Sequence, residues 1–209
     1  MTKEFQGKIA LDVRDSVADW GPYAPARAPE GAPNVLVILY DDTGMASWSP
    51  YGGRINMPTL DRLAANGLTY TQWHTTALCS PTRSTFLTGR NHHVNGMGNI
   101  MEGTNGFPGL SGHIPESCAT IGQVLQKNGY STFWVGKNHN VPEEDVSTGG
   151  SKEQWPLAQG FDRFYGFLGG ETNNWYPDLV EDNHFIEPPP TRRKRATTCP
   201  RISPTRPSA

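Results

Sequence analysis

The chain has 209 residues, 35% hydrophobic and 18% charged, with 23 Gly, 18 Pro and a formal net charge of -2. That length and composition suit one sizeable core in a loop-rich globular domain; no apolar run reaches the ~20 residues of a membrane helix, and three cysteines (Cys79, Cys118, Cys199) make no disulfide framework. The opening Met1-Thr2-Lys3-Glu4-Phe5-Gln6-Gly7-Lys8 lacks the apolar stretch of a secretory signal, so the expected location is cytoplasmic.

Residues 1–33, rich in Pro, Ala and Gly, read either as an N-terminal arm laid on the domain, with Trp20 and Tyr23 as anchors, or equally as a floppy leader. Asn34-Val35-Leu36-Val37-Ile38-Leu39-Tyr40 is a continuous apolar, β-branched run, the pattern of a strand buried on both faces of a parallel sheet. Asp41 and Asp42 follow at its carboxyl end, where open α/β sheets place their ligands. Adjacent carboxylates repel one another unless a cation compensates, and their hard oxygens suit Ca²⁺ or Mg²⁺. An aspartate here can equally cap a helix. Met57 to Gly67 predicts a helix opened by Pro58, with Leu60, Leu63 and Ala64 as its apolar stripe. Leu68 to Trp73 predicts the next strand, completing a right-handed β-α-β unit.

The run Cys79-Ser80-Pro81-Thr82-Arg83-Ser84-Thr85-Phe86-Leu87-Thr88-Gly89-Arg90 is helix-compatible from Pro81, which suits a first helical position. The unpaired N–H groups of such a helix start favour an anion beside Cys79. Arg83 lies one helical turn further on, so its guanidinium can reach the same point. A nucleophile, a fixed positive fork and a helix N-terminus then meet, an arrangement suited to a sulfate or phosphate ester. The bland alternative is a packed cysteine beside a surface arginine.

Residues 91–117 form a long Gly-, Asn-, His- and Pro-rich loop, and His92, His93 and His113 are candidates for substrate contact or simple solvated histidines. Ser117 to Gly129 predicts a second helix, buried through Ile121, Val124 and Leu125, with Cys118 as packing. Tyr130 to Val135 predicts a strand, and Gly136-Lys137-Asn138-His139 follows at its carboxyl end. Lys137 offers a compact charge to an oxyanion, and His139 can exchange a proton near neutral pH. Both pairs, Asp41/Asp42 and Lys137/His139, should therefore share one sheet edge with Cys79. Residues 141–159 read as loop; Gly160 to Gly170 and Asn173 to Tyr176 are aromatic-rich, either a pocket wall or core.

From Pro190 the character changes. Residues 190–209 hold six of the 18 Lys+Arg and no acid, leaving residues 1–189 with 12 basic and 20 acidic side chains. One reading is a disordered basic tail for nucleic acid or nuclear import. The other, which we take, is a frameshift: a one-base offset can turn this segment into a capped amphipathic helix.

Cys79-x-Pro81-x-Arg83, closed by Thr88-Gly89-Arg90, resembles the signature of the sulfatase family, arylsulfatase branch. The resemblance runs from about Asp19 to about Pro189. It implies an alkaline-phosphatase-like α/β fold, a parallel-sheet core with helices on both faces, here truncated, with residues 34–189 as a partial catalytic domain. It implies conversion of Cys79 to formylglycine by a formylglycine-generating enzyme, and a Ca²⁺ or Mg²⁺ cofactor held by Asp41, Asp42 and residue 79. Hydrated formylglycine, a gem-diol, would attack sulfur, with Arg83 and Lys137 neutralising the transferring group. His139 would deprotonate the second hydroxyl to expel sulfate. The implied partners are a small-molecule sulfate ester and the modifying enzyme, with no nucleic acid and no membrane. The family's second metal pair, second lysine, further histidine and C-terminal domain have no counterpart here, and His184 falls too early for that histidine. A weak metal site and little turnover are therefore expected from this chain alone. A related phosphonate or phosphate monoester hydrolase, or a non-catalytic fragment, are the alternative readings.

Overall fold

The computed structural model describes residues 4–189. The basic segment 190–209, with Cys199 and both readings of its origin, lies outside the described residues. Among the described residues three α-helices and four strands follow in chain order: α1 Pro58–Asn66, α2 Cys79–Thr88, α3 Ile121–Lys127, β1 Phe133–Lys137, β2 Arg163–Phe167, β3 Leu179–Glu181 and β4 His184–Ile186. The sheet order is β1-β2-β3-β4. β1 and β2 run parallel in the register Phe133 to Arg163 through Lys137 to Phe167. The β2–β3 and β3–β4 pairs are antiparallel. The class is α/β as expected, but within the sheet only β1 and β2 pair in parallel.

The core lies on the later part of the chain. Val141, Trp155, Phe164, Leu168 and Val180 form one buried cluster, with Trp134, Val146 and Leu157 packed against it. Trp155 has no exposed surface. Burying each such large side chain contributes about 1.5–3 kcal/mol. A second cluster, Met97, Met101, Ile114 and Cys118, underlies the long loop, and Cys118 takes the packing role expected of it.

Before Cys79 no described residue is buried. The run 34–40 is not a paired strand: Leu36 stands 84% exposed and its neighbours are also open. The predicted strand 68–73 is likewise unpaired, and Leu68, Tyr70 and Trp73 are exposed. A strand exists through its ladder partners, and among the described residues neither run has one. α1 forms where predicted, with Pro58 in its first turn, yet buries none of its residues. Trp20 and Tyr23, the expected anchors, are largely exposed. The arm is tied instead by Ala28 N–H donating to Gly129 O at 3.0 Å. Gly129 has φ +82, and a Cβ there would meet the Arg27 carbonyl carbon at 2.2 Å, so the approach requires glycine.

Candidate active site

α2 begins at Cys79 itself, capped by extended Leu78, so Pro81 is its third residue and not its first. Proline is still tolerated there because N–H groups of the first turn have no intrahelical acceptor. Gly89 ends the helix in the left-handed conformation. Cys79 is half-buried and free.

Ser80 joins three distant pieces of chain. It has no exposed surface. Its Oγ accepts the Met101 N–H at 3.3 Å, and its carbonyl accepts Asn140 Nδ2 at 3.0 Å. The residue after Cys79 thus fixes both the turn Met101–Gly103 and the segment after β1. Arg83, 7% exposed, makes a second tie. Its Nη1 donates to Lys137 O at 2.9 Å, where Trp134 Nε1 also donates at 3.2 Å. Its Nη2 reaches Asp41 Oδ1 at 3.1 Å.

Lys137 ends β1 and places Nζ 2.8 Å from Asp41 Oδ2. Asp41 is therefore gripped by two cations through its two oxygens. Partial burial pushes its carboxyl pKa up, but the Lys137 and Arg83 hydrogen bonds and charges outweigh this and hold it below the usual value. Asp42 adopts φ +49, a left-handed conformation that aspartate tolerates. One ligand atom each from Asp41, Asp42 and Cys79 lies within 4.8 Å of the others. Two hard carboxylates at this spacing fit Ca²⁺ or Mg²⁺, whereas the thiol is a soft donor that suits neither. An oxygen at position 79 would correct that mismatch. Three donors still fall short of the 6–8 oxygens that Ca²⁺ takes.

His139 follows in a left-handed conformation, φ +56, with its N–H on Leu168 O at 2.9 Å. Its Nε2 lies 3.0 and 2.9 Å from the two Glu102 carboxylate oxygens. Burial lowers the imidazole pKa; Glu102 opposes this, while Lys137 and Arg83 reinforce it. The Glu102 carboxyl lies below its usual value. Burial would raise it, but its own backbone N–H, the His139 contact and the His139 and Lys137 charges win.

The structure thus brings Asp41, Asp42, Cys79, Arg83 and Lys137 together, with His139 close enough to feel both cations. The loop histidines make local contacts of their own. The His92 and His93 rings lie tilted against each other with centroids 4.2 Å apart, and His113 Nδ1 bonds within its own turn to Ser111 O. His184 is exposed on β4. Of the aromatic stretch, Phe164 is core, while Trp175 and Tyr176 are exposed. Sequence reasoning missed Ser80, Glu102 and Asn140. Ser80 could have been flagged as a polar residue on the side of α2 opposite solvent. Glu102 had no local signal, because it stands in a Gly-rich loop without periodicity.

Residues 33–193 match the family model described as Sulfatase. An uncharacterised sulfatase of Schizosaccharomyces pombe is 34% identical over 171 residues, covering 76% of this chain and 31% of that protein. Arylsulfatase D of Homo sapiens is 36% identical over 160 residues, covering 73% and 26% respectively. The crystal structure of Ps i-CgsB superposes with a TM-score of 0.54 at 23% identity, covering 71% of this chain and 36% of that one. The chain therefore spans about a quarter to a third of the length of the curated relatives it matches.

Proposed function

Because this chain belongs to the sulfatase family, we propose that it is the nucleophile-bearing part of a sulfuric ester hydrolase acting on small-molecule sulfate monoesters. The observation that carries this is the meeting of Arg83 and Lys137 on Asp41, whose carboxylate shares a 4.8 Å neighbourhood with Asp42 and Cys79. Two fixed cations beside a nucleophile at a helix N-terminus match the charge of a sulfuryl group.

Asp41 and Asp42 would hold Ca²⁺ or Mg²⁺. Formylglycine made from Cys79 by its modifying enzyme would supply a hydrated oxygen nucleophile, and the cation would make that oxygen more acidic. Arg83, buried and held by the Lys137 carbonyl, presents a planar, positively charged fork in a fixed position. Lys137, now paired with Asp41, would offer its compact positive charge to a substrate oxygen. His139, kept neutral near pH 7 by its burial, is ready to accept a proton.

The test is co-expression with a formylglycine-generating enzyme, followed by peptide mass measurement across Cys79 and hydrolysis of p-nitrophenyl sulfate with Ca²⁺. The expected result is a modified residue 79 with weak turnover that Cys79→Ala abolishes. Turnover unchanged in Cys79→Ala would overturn the assignment, and faster cleavage of an aryl phosphonate would redirect it.

A further inference from the structure

We propose that Glu102 is the positioning residue of His139: it accepts the Nε2–H, fixes that tautomer, and leaves Nδ1 as the nitrogen that takes a proton. The catalytic consequence rests on the sulfatase reading above; the tautomer itself does not.

Four features converge on this pair. Both Glu102 oxygens lie within 3.0 Å of Nε2, so either accepts from it. Nδ1 is buried and has no hydrogen-bond partner among the described residues, a costly state for a ring nitrogen unless it is held ready for one. The backbone of His139 sits at φ +56, strained for a residue other than glycine, and strain of this kind concentrates at functional positions. Gly170 then makes the room. A Cβ at Gly170 would lie 2.7 Å from both Cε1 and Nε2 of His139 and 2.9 Å from Glu102 Oε1. Any side chain there displaces the pair.

Glu102 is itself fixed from behind. Buried Met101 precedes it, and the Met101 N–H bonds Ser80 Oγ beside Cys79. The same residue that follows the nucleophile thus sets the partner of the base. The His139 side chain is 5% exposed and that of Glu102 is 44%, so the carboxylate forms the solvent end of the pair and the imidazole the interior end. Glu102, Lys137 and Arg83 are the charged groups acting on the ring. When Nδ1 takes a proton, the ring becomes an imidazolium whose second N–H remains on Glu102. The negative carboxylate offsets the two neighbouring cations at that moment.

Two-bond ¹H–¹⁵N correlation spectra of the ¹⁵N-histidine-labelled full chain test this without turnover, His139 being assigned by its loss in His139→Gln. Above its pKa, His139 should show a protonated Nε2 and a bare Nδ1. Glu102→Gln should keep that tautomer through its amide oxygen but lower the pKa. Glu102→Ala and Gly170→Ala should give mixed tautomers. A wild-type ring protonated at Nδ1 would overturn the proposal, as would an unchanged tautomer in Glu102→Ala. Should Glu102→Ala not fold, the wild-type and Glu102→Gln spectra decide. The expected tautomer in a modified protein that cleaves no sulfate ester would uphold Glu102 and defeat the hydrolase activity proposed for this chain instead.

Discussion

The Arg83 guanidinium, nearly buried in α2, lies 3.1 Å from the Asp41 carboxylate 42 residues earlier in the chain. The same fork holds Lys137 O with its other terminal nitrogen. One side chain thus joins α2, the acidic pair and the end of β1. Lysine carries the charge but not the fork. Arg83→Lys should therefore lose one of the two contacts and cost about 2 kcal/mol, the range for a hydrogen bond to a charged group. A lower urea midpoint with an unchanged slope would show it. An unchanged midpoint would mean the fork contributes nothing.

Asp41 faces a competition that makes a counter-intuitive prediction. Lys137 Nζ at 2.8 Å occupies the Asp41 oxygen not held by Arg83. A divalent cation must displace this charge or tolerate it. Lys137→Met should therefore tighten Ca²⁺ binding, by about tenfold if ~1.4 kcal/mol of repulsion is relieved. Asp42→Asn should weaken it. Titration calorimetry reads both, and weaker binding in Lys137→Met would show that the ion does not sit on Asp41.

The site was more legible than the sheet. Cys79, Pro81 and Arg83 have a fixed local spacing, and the acids and Lys137 follow apolar runs, so short-range pattern located them. Pairing is not a short-range property. The run 34–40 has every compositional mark of a buried strand, yet burial needs a neighbour, and no described residue provides one. β2 was hidden for the opposite reason: Arg163–Phe167 sits within an aromatic, Gly-rich stretch that reads equally well as a pocket wall. Glu102 illustrates a third case. Its role comes from Ser80 and Gly170, 22 positions before it and 68 after, and nothing in its own loop announces it.

Hydrogen exchange should expose the difference between apolar and paired. Amides of β1 and β2 lie in a parallel ladder, whereas residues 34–40 donate no backbone hydrogen bond among those described. The 34–40 amides should exchange near the rate of an unfolded peptide while those of the β1–β2 ladder are protected. Lys substitution at Leu36, which is 84% exposed, should leave the unfolding midpoint within about 0.5 kcal/mol of wild type. Strong protection across 34–40 would mean that this run has found a partner in solution.

The pH dependence of stability has a sign set by the buried ring. Folding lowers the His139 pKa below its ordinary 6.5, with burial as the main cause. Between the two values the unfolded chain binds the extra proton, so acid favours unfolding. The contribution of His139 is fully present above pH 6.5 and is lost as pH falls through the folded value. Asp41 and Glu102 have the same sign, but their ordinary values are 3.8 and 4.5, so they act only in more acidic solution. Between about pH 7.5 and about pH 5.5, then, His139 should account for a fall in the urea midpoint on acidification. His139→Gln should flatten that slope, since glutamine can still donate to Glu102 but cannot titrate. A slope that survives in His139→Gln would assign the effect to other groups and would count against His139 as the neutral, buried ring proposed above as the base.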